Sequence, residues 1–475
     1  MKLNLLSKDE IILIHEKSLE ILNRIGVIIP HPKVRQLFKD HGAIVDDKIQ
    51  LVKIPSDLIM ELLSYTSKEF TLYGRDLNKR AEFGKGKRNY NTSGGQALWI
   101  ENEGEERRYA TLENVITATR FAENLDQITI PGAMADPHEL PVKVRNINIA
   151  YEMIKNTLKP ITFWFYDKAS TKYLMDLIIT LRGDEKSAIR YPLCYPLLEP
   201  VSPLTFPFNG IDLLFETSKL NTPVQIGPMA QMGITAPATI AGTIAQENAE
   251  ILAGICLVQL IKKGTPICYG GICHAFDMRS MQIIFGGPEQ IIFSLAMTEM
   301  GKYYGLPVYI NTGLTDSKIP DAQAGLECGT TLAFGIASGA DIFGHMGIAG
   351  ADQAASLDML ILQSEIISYL ERLQNPIKFE NSDFAVDIIE KVGPKGSFIS
   401  NRHTLQHFKR DLWIPTLLDR NNFENWKSKG SSSMRKYIKK RKEELLTKIV
   451  SPTITSDLTQ DLETVLNTAK KQLLQ

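Results

Sequence analysis

Cysteine is scarce in this sequence: five among 475 residues, at Cys194, Cys256, Cys268, Cys273 and Cys328. So sparse and odd a set reads as buried thiols in a reducing compartment, which implies a cytoplasmic protein. Cys268, Cys273 and His274 lie close together, but their spacing is wrong for a zinc knuckle and no second pair follows. Histidine is also rare, eight in all, where a metal-dependent barrel hydrolase uses several as ligands. No resident metal is expected. His403 and His407 have the i,i+4 spacing of a chelating pair, yet they fall in a helix beyond the repeated part of the chain. Neither sign of charge is in excess, with 53 Lys+Arg against 54 Asp+Glu, so the basic footprint of a nucleic-acid binder is missing. No run reaches the roughly 18 uninterrupted apolar residues that span a bilayer. Asp9, Glu10, Glu16 and Glu20 interrupt the apolar start, which rules out a secretory core there. There is no P-loop, no Gly-x-Ser-x-Gly elbow and no Gly-x-Gly-x-x-Gly after the first strand. No residue announces itself as a covalent nucleophile.

What is present is an ordinary globular balance, 44% hydrophobic and 23% charged. The first 86 residues read as an extension of small helices. Ser7 and Glu10 make a capping-box pattern, a second helix runs over 32–41, and a third begins at Pro55, with Ser56 or Asp57 to cap it. From residue 87 short apolar or β-branched runs alternate with helical stretches. The runs are 89–91, 128–130, 161–165, 191–195, 224–226, 267–269, 308–310 and 341–343. Helices open at Thr111, Ala236, Gly287 and Asp321. Eight βα units over residues 87–375 predict an α/β fold, a (β/α)8 TIM-type barrel, with an open eight-stranded sheet as the alternative. Residues 376–475 read as a helical tail for packing and oligomerisation. Its basic helix over 434–449 carries Arg435, Lys436, Lys439, Lys440, Arg441 and Lys442. They form either a solvated face or a surface for an acidic partner.

In a barrel the loops after the strands build the site. Gly227, Gly271, Gly313, Gly347 and Gly350, with Met229, make those loops small, either for close approach to a large planar partner or for tight turns alone. Trp164 and Tyr166 share one strand face by the two-residue period. With Tyr195 they are either core aromatics or faces for a cation. Glu199 adds charge. His345 follows the eighth strand. Asn311, Gln96 and His345 are donors for a carboxylate. Asp316 sits in a charged stretch with Lys318, Asp321 and Glu327, part of which caps the next helix.

Three segments carry a family resemblance: 227–239 (GPMAQMGITAPAT), 313–327 (GLTDSKIPDAQAGLE) and 403–407 (HTLQH). Together they resemble the trimethylamine methyltransferase family, over nearly the whole chain. The resemblance implies a (β/α) barrel that moves a methyl group from an amine to the cobalt of a small corrinoid protein. The founding branch carries pyrrolysine, whereas this chain uses the twenty standard residues only. It is therefore similar to the branch that demethylates quaternary amines such as glycine betaine, proline betaine or carnitine. On that resemblance the Co(I) nucleophile belongs to a corrinoid carried by the partner, and this chain binds no cofactor itself. The glycine loops and Met229 would face the corrinoid. His345, Asn311, Trp164, Tyr166, Tyr195, Glu199, Gln96 and Asp316 would face the amine. Departure of a neutral tertiary amine needs no general acid, which suits a site without a triad. A stand-alone barrel lyase or hydrolase on a small acid, and a non-catalytic betaine-binding protein, are the competing readings. A large barrel with a helical tail is also expected to form a homo-oligomer.

Overall fold

A computed structural model describes residues 3–102, 104–375, 377, 379–448 and 451–475. The first helix, Lys8–Arg24, starts at the expected capping box: Ser7 accepts from Glu10 N and the Glu10 carboxylate accepts from Ser7 N. Pro32–Asp40 and Ser56–Ser64 follow. Neither Ser56 nor Asp57 caps the third helix; both lie inside its first turn, and Pro55 leads into it. The extension is not only helical. It holds a three-stranded antiparallel sheet and the hairpin Phe70–Tyr73 with Arg80–Phe83. These strands run two to four residues, too short to leave a periodic pattern.

The centre is a six-stranded parallel sheet. Its order is Asn89–Thr92, Ile342–Met346, Val308–Asn311, Ile267–Gly271, Val224–Ile226 and Leu197–Leu198. Successive strands are neighbours, and the first in the chain lies against the last. Between Thr92 and Leu197 the ladder thins to single parallel bridges, Asn91 to Ile130 and Gly132 to Thr162, with Ile161 N donating to Leu193 O. The expected strands at 128–130 and 161–165 are thus bridges only. The one expected at 191–195 lies instead at Leu197–Leu198. Proline explains the thinning: Pro131, Pro160, Pro192 and Pro196 fall in or beside these runs, and proline has no N–H for a ladder. The observed architecture is a mixed α/β fold on a parallel sheet.

The hairpin closes the N-terminal end of this sheet. Phe70, Leu72, Ala81 and Phe83 pack in one cluster with Ile130, Tyr195, Cys268, Tyr309 and Ile342. Asp341 fixes the arrangement, its carboxylate accepting from Gly84 N and Val308 N at 2.7 and 3.0 Å.

Helix Ile240–Ile261 is long and apolar enough to cross a membrane by length and composition. In this fold every residue from 243 to 259 is buried. It packs against the sheet and the helices Lys8–Arg24 and Ser56–Ser64, which is why it lacks a polar face. All five cysteines are free and buried.

The basic helix spans Met434–Lys448; Ile449, its expected end, lies outside the described residues. Lys442 does not belong to an exposed face. Its ammonium is buried and donates to Asp358 Oδ2 at 2.9 Å, Glu101 O at 2.9 Å and Asn102 Oδ1 at 3.2 Å. It anchors the tail to the first turn of helix Leu357–Gln374. Asp358 Oδ1 has no hydrogen-bond partner among the described residues, so Lys442 on Oδ2 is what compensates this carboxylate. Lys442→Ala should therefore destabilise the protein by about 3 kcal/mol, because it leaves a buried carboxylate unpaired. The exposed Lys439→Ala should stay within about 0.5 kcal/mol of the parent. Chemical denaturation of both variants checks this, and equal midpoints would refute the anchor.

Candidate active site

The site lies at the C-terminal ends of the strands. A cavity of about 680 Å³ opens there, lined among others by Trp164, Tyr166, Leu197, Glu199, Val201, Ser202, Met229, Gln231 and Thr235. Its walls are loops, and polar side chains from the first turns of Ile240–Ile261 hold them. Glu247 accepts from Ala230 N at 3.0 Å and Ile272 N at 2.9 Å. Glu250, one turn on, accepts from Ser202 Oγ at 2.6 Å and Leu204 N at 2.8 Å. Gln246 donates to Glu250 Oε1 and to Thr235 O. Burial raises the pKa of both acids, and the Glu250 carboxylate pushes Glu247 further.

Trp164 is fixed by donation from Nε1 to Gly95 O at 2.8 Å. A Cβ on Gly94 or Gly95 would come within 3.1 or 3.2 Å of the indole ring, so glycine lets backbone lie against it. The His345 ring stacks on Trp164 with centroids 5.7 Å apart, and Tyr309 meets His345 edge-on. His345 Nδ1 accepts a long bond, 3.4 Å, from Gly94 N. Burial pushes the pKa of His345 down to about 4, so the ring is neutral and carries its proton on Nε2. Tyr166 donates to Asp136 Oδ1 at 2.5 Å, and Arg145 neutralises Asp136 through Oδ2 at 2.9 Å. Burial, then the Asp136 carboxylate, keep the Tyr166 phenol protonated.

Glu199 is open to solvent but stands inside the concavity, with protein on most sides. Its pKa is pushed up to about 7, first by desolvation and then by the Asp352 carboxylate. Asp352 is itself pushed up to about 6 by desolvation, against the Gln96 hydrogen bond. Gln96 Nε2 donates to Asp352 Oδ1 at 2.6 Å and Asp352 O at 2.8 Å, while Ser93 Oγ donates to Gln96 Oε1. Trp164, Tyr166 and Glu199 thus line one opening, with His345 stacked on Trp164 and Gln96 held to Asp352 beside it.

Other candidates lie elsewhere. Asn311 is buried in the sheet interior; Oδ1 accepts from Tyr309 and Nδ2 donates to His274 Nε2 at 3.2 Å. Tyr195 belongs to the cluster beneath the cavity, edge-on to Phe83. Asp316 clamps a loop by accepting from Phe285 N and Gly286 N. Glu327 accepts from Thr315 Oγ1 and Asp316 N, and Asp321 caps the helix Ala322–Ser338. Met229 lines the cavity and Gly227 is buried beside Ile272. Gly271, Gly313, Gly347 and Gly350 are buried; a Cβ on Gly271 would lie 2.3 Å from Met297 Cβ. Gln363 ties Gly347 N to Gly313 O. The opening is a concavity. His403 and His407 stack at 4.2 Å, but no group of three or more His, Cys, Asp or Glu fit to hold a metal occurs among the described residues.

Sequence reasoning missed Asp352 and Arg145. Asp352 follows the last small-residue loop by a single position, after Ala351, and both have positive φ. That run of irregular backbone, with an acid at its end, was the available signal.

A family model described as trimethylamine methyltransferase (MTTB) matches residues 1–473. The chain belongs to the trimethylamine methyltransferase family. It is 30% identical to the glycine betaine methyltransferase of Desulfitobacterium hafniense (strain Y51), over 99% of this chain and 98% of that one. It is equally similar, at 30%, to a trimethylamine methyltransferase of Methanosarcina barkeri (strain Fusaro / DSM 804), over 99% and 96%. The crystal structure of the Methanosarcina barkeri monomethylamine methyltransferase aligns over 99% of this chain and 88% of that one, with a TM-score of 0.52 and 12% identity. That likeness shows the fold alone. As a member of this family the chain is a methyltransferase.

The raised Glu199 pKa has a sign that can be tested. Its neutral form is favoured by folding, so this stabilising contribution is full below the ordinary carboxyl range and is lost as pH rises through about 7. Glu199→Gln should melt above the parent at pH 8, with the gap closing toward pH 4. A gap that does not vary with pH would show that Glu199 titrates normally.

Proposed function

We propose that this chain moves a methyl group from a quaternary amine, glycine betaine first, to the Co(I) of a corrinoid carried by a small partner protein in the cytoplasm. Proline betaine and carnitine fit the same description. The observation that carries the reading is one cavity holding an indole, Trp164, together with the carboxyl group of Glu199, near Asp352. An aromatic face with a nearby carboxylate is what a methylated ammonium requires. The family membership and the betaine-acting relative support it. The eight strand positions, joined through the bridges at Ile130 and Thr162, are read as a (β/α)8 barrel.

The partner's corrinoid supplies the nucleophile. The cavity has the size of a small-molecule site, so the amine enters it and the macrocycle stays with its carrier. Trp164 and Glu199 hold the cation and aim a methyl outward. Gln231 and the Nε2–H of His345 offer donors to the betaine carboxylate. The leaving amine departs neutral, so the neutral His345 and protonated Tyr166 need not act as acids. The loops carrying Gly227, Met229, Gly271, Gly313, Gly347 and Gly350 form the face on which the corrinoid protein docks.

A second reading rests on the lining itself. Neither Lys nor Arg appears among the lining residues described, while Glu199 does. A quaternary amine without a carboxylate suits that charge better than a zwitterion.

The deciding experiment mixes the protein with a reduced corrinoid protein from the same genome and follows cobalt absorbance as amines are added singly. A change with glycine betaine, proline betaine or carnitine supports the first reading. A change only with choline or tetramethylammonium supports the second. No change, with a demonstrably reduced partner, sinks both and favours a stand-alone enzyme or a binding protein. In the responsive case Trp164→Leu should raise KM about tenfold, the scale of a cation–π contact. Substrate affinity should rise between pH 5 and 8 as Asp352 and Glu199 ionise.

A further inference from the structure

Tyr166 lines the cavity beside Trp164, while the groups that hold it do not. Its hydroxyl donates to Asp136 Oδ1 at 2.5 Å, and Arg145 Nη1 donates to Asp136 Oδ2 at 2.9 Å. Arg145 is buried and is itself fixed by Leu140 O, which accepts from Nε at 3.2 Å and from Nη2 at 3.0 Å. Neither Asp136 nor Arg145 is among the lining residues described, so both stand behind the phenol. The backbone of Asp136 is tied to the end of the first strand of the sheet. Gln96 N donates to Met134 O at 3.0 Å and Asp136 N to Gln96 O at 2.9 Å. The same segment holds Trp164 through Gly95 O. Indole and phenol are thus set by one strand end.

Burying a carboxylate and a guanidinium behind a tyrosine is costly, and a backbone carbonyl would have held the hydroxyl. What the ion pair adds is direction. A phenol has one proton and its lone pairs. With the proton committed to a carboxylate, the oxygen can only accept, and the charged partner polarises it further. Burial and the Asp136 hydrogen bond push the phenol pKa up, so the proton stays in place.

We propose that Tyr166 tells the methylated end of the amine from its other end, and that Asp136 and Arg145 are positioning residues that make its oxygen a pure acceptor. This rests on the proposed reading of the cavity as an amine site. Methyl groups on a quaternary nitrogen share its positive charge, and their C–H bonds donate weakly to oxygen. A carboxylate needs a donor and finds at Tyr166 only another acceptor. The phenol joins Trp164 and Glu199 in a wall that presents negative charge throughout. The substrate's other end is left to donors such as Gln231 and Asn209.

Calorimetry on the full chain, without a partner, tests this with three titrants: glycine betaine, choline, and the neutral alcohol in which carbon replaces the choline nitrogen. Tyr166→Phe should weaken both amines about fivefold, the scale of one or two such contacts, and leave the neutral alcohol unchanged. Asp136→Asn should do more. Arg145 has only donors, so it takes the amide oxygen, and the amide N–H turns to the phenol. The hydroxyl then swings toward the cavity, against the cation. The amines should weaken about tenfold, a loss that vanishes when Asp136→Asn is added to Tyr166→Phe. Unchanged amine affinity in Tyr166→Phe, or the same loss from Asp136→Asn on both backgrounds, overturns the inference alone. If Asp136→Asn does not fold, Tyr166→Phe decides: equal weakening of the amines and the neutral alcohol overturns it. A parent that binds neither amine overturns the amine-site reading and this inference together.

Discussion

Two buried carboxyl groups on one helix shape the functional end of this protein. Glu247 and Glu250 lie one turn apart and reach backbone or hydroxyl donors on three loops: 202–204, Ala230 and Ile272. Loops cannot pack by ladder bonding, and their N–H groups, once buried, need acceptors. Supplying those acceptors from a rigid helix buried over residues 243–259 turns three flexible connections into a fixed wall. The helix is apolar over most of its remaining length, which is why its composition matches that of a membrane span while four of its polar residues, Gln246, Glu247, Asn248 and Glu250, cluster together.

A similar arrangement recurs in other loops at the strand ends. Gln363 joins the loops at Gly313 and Gly347, Asp316 holds Phe285 and Gly286, and Gln96 holds Asp352. Each brace is a side chain working on backbone from another segment. The residues free to meet a ligand are those the braces leave over: the indole of Trp164, the carboxyl of Glu199, and the partly buried ring of His345. Burial of charge is costly, so the two acids at the mouth are shifted upward, while Arg145 offsets Asp136 directly.

The alternation of strand and helix was legible because runs such as 224–226 and 308–310 are short, apolar and β-branched. The weak strands were not, because Pro131, Pro192 and Pro196 break ladders that hydrophobicity alone suggests. The strand ends pointed to Trp164, Tyr166, Glu199 and His345, since position after a strand is a property of the sequence. Asn311 and Asp316 have the same local signature but are absorbed by partners far along the chain, His274 and Phe285, which no local pattern shows. Lys442 is the same case in reverse: a lysine in a basic run became a buried anchor because Asp358 and the carbonyl of Glu101 meet it from elsewhere.

The hairpin Phe70–Phe83 has a consequence for the order of events. By filling the N-terminal end of the sheet with stacked rings, it makes the cavity a blind alley. Under the proposed reaction, in which a partner protein brings the methyl acceptor to the same opening, a small molecule has to be seated before that protein covers it, and the spent molecule waits until the protein withdraws. On that reading the traffic is sequential, set by a hairpin at the far end from the chemistry.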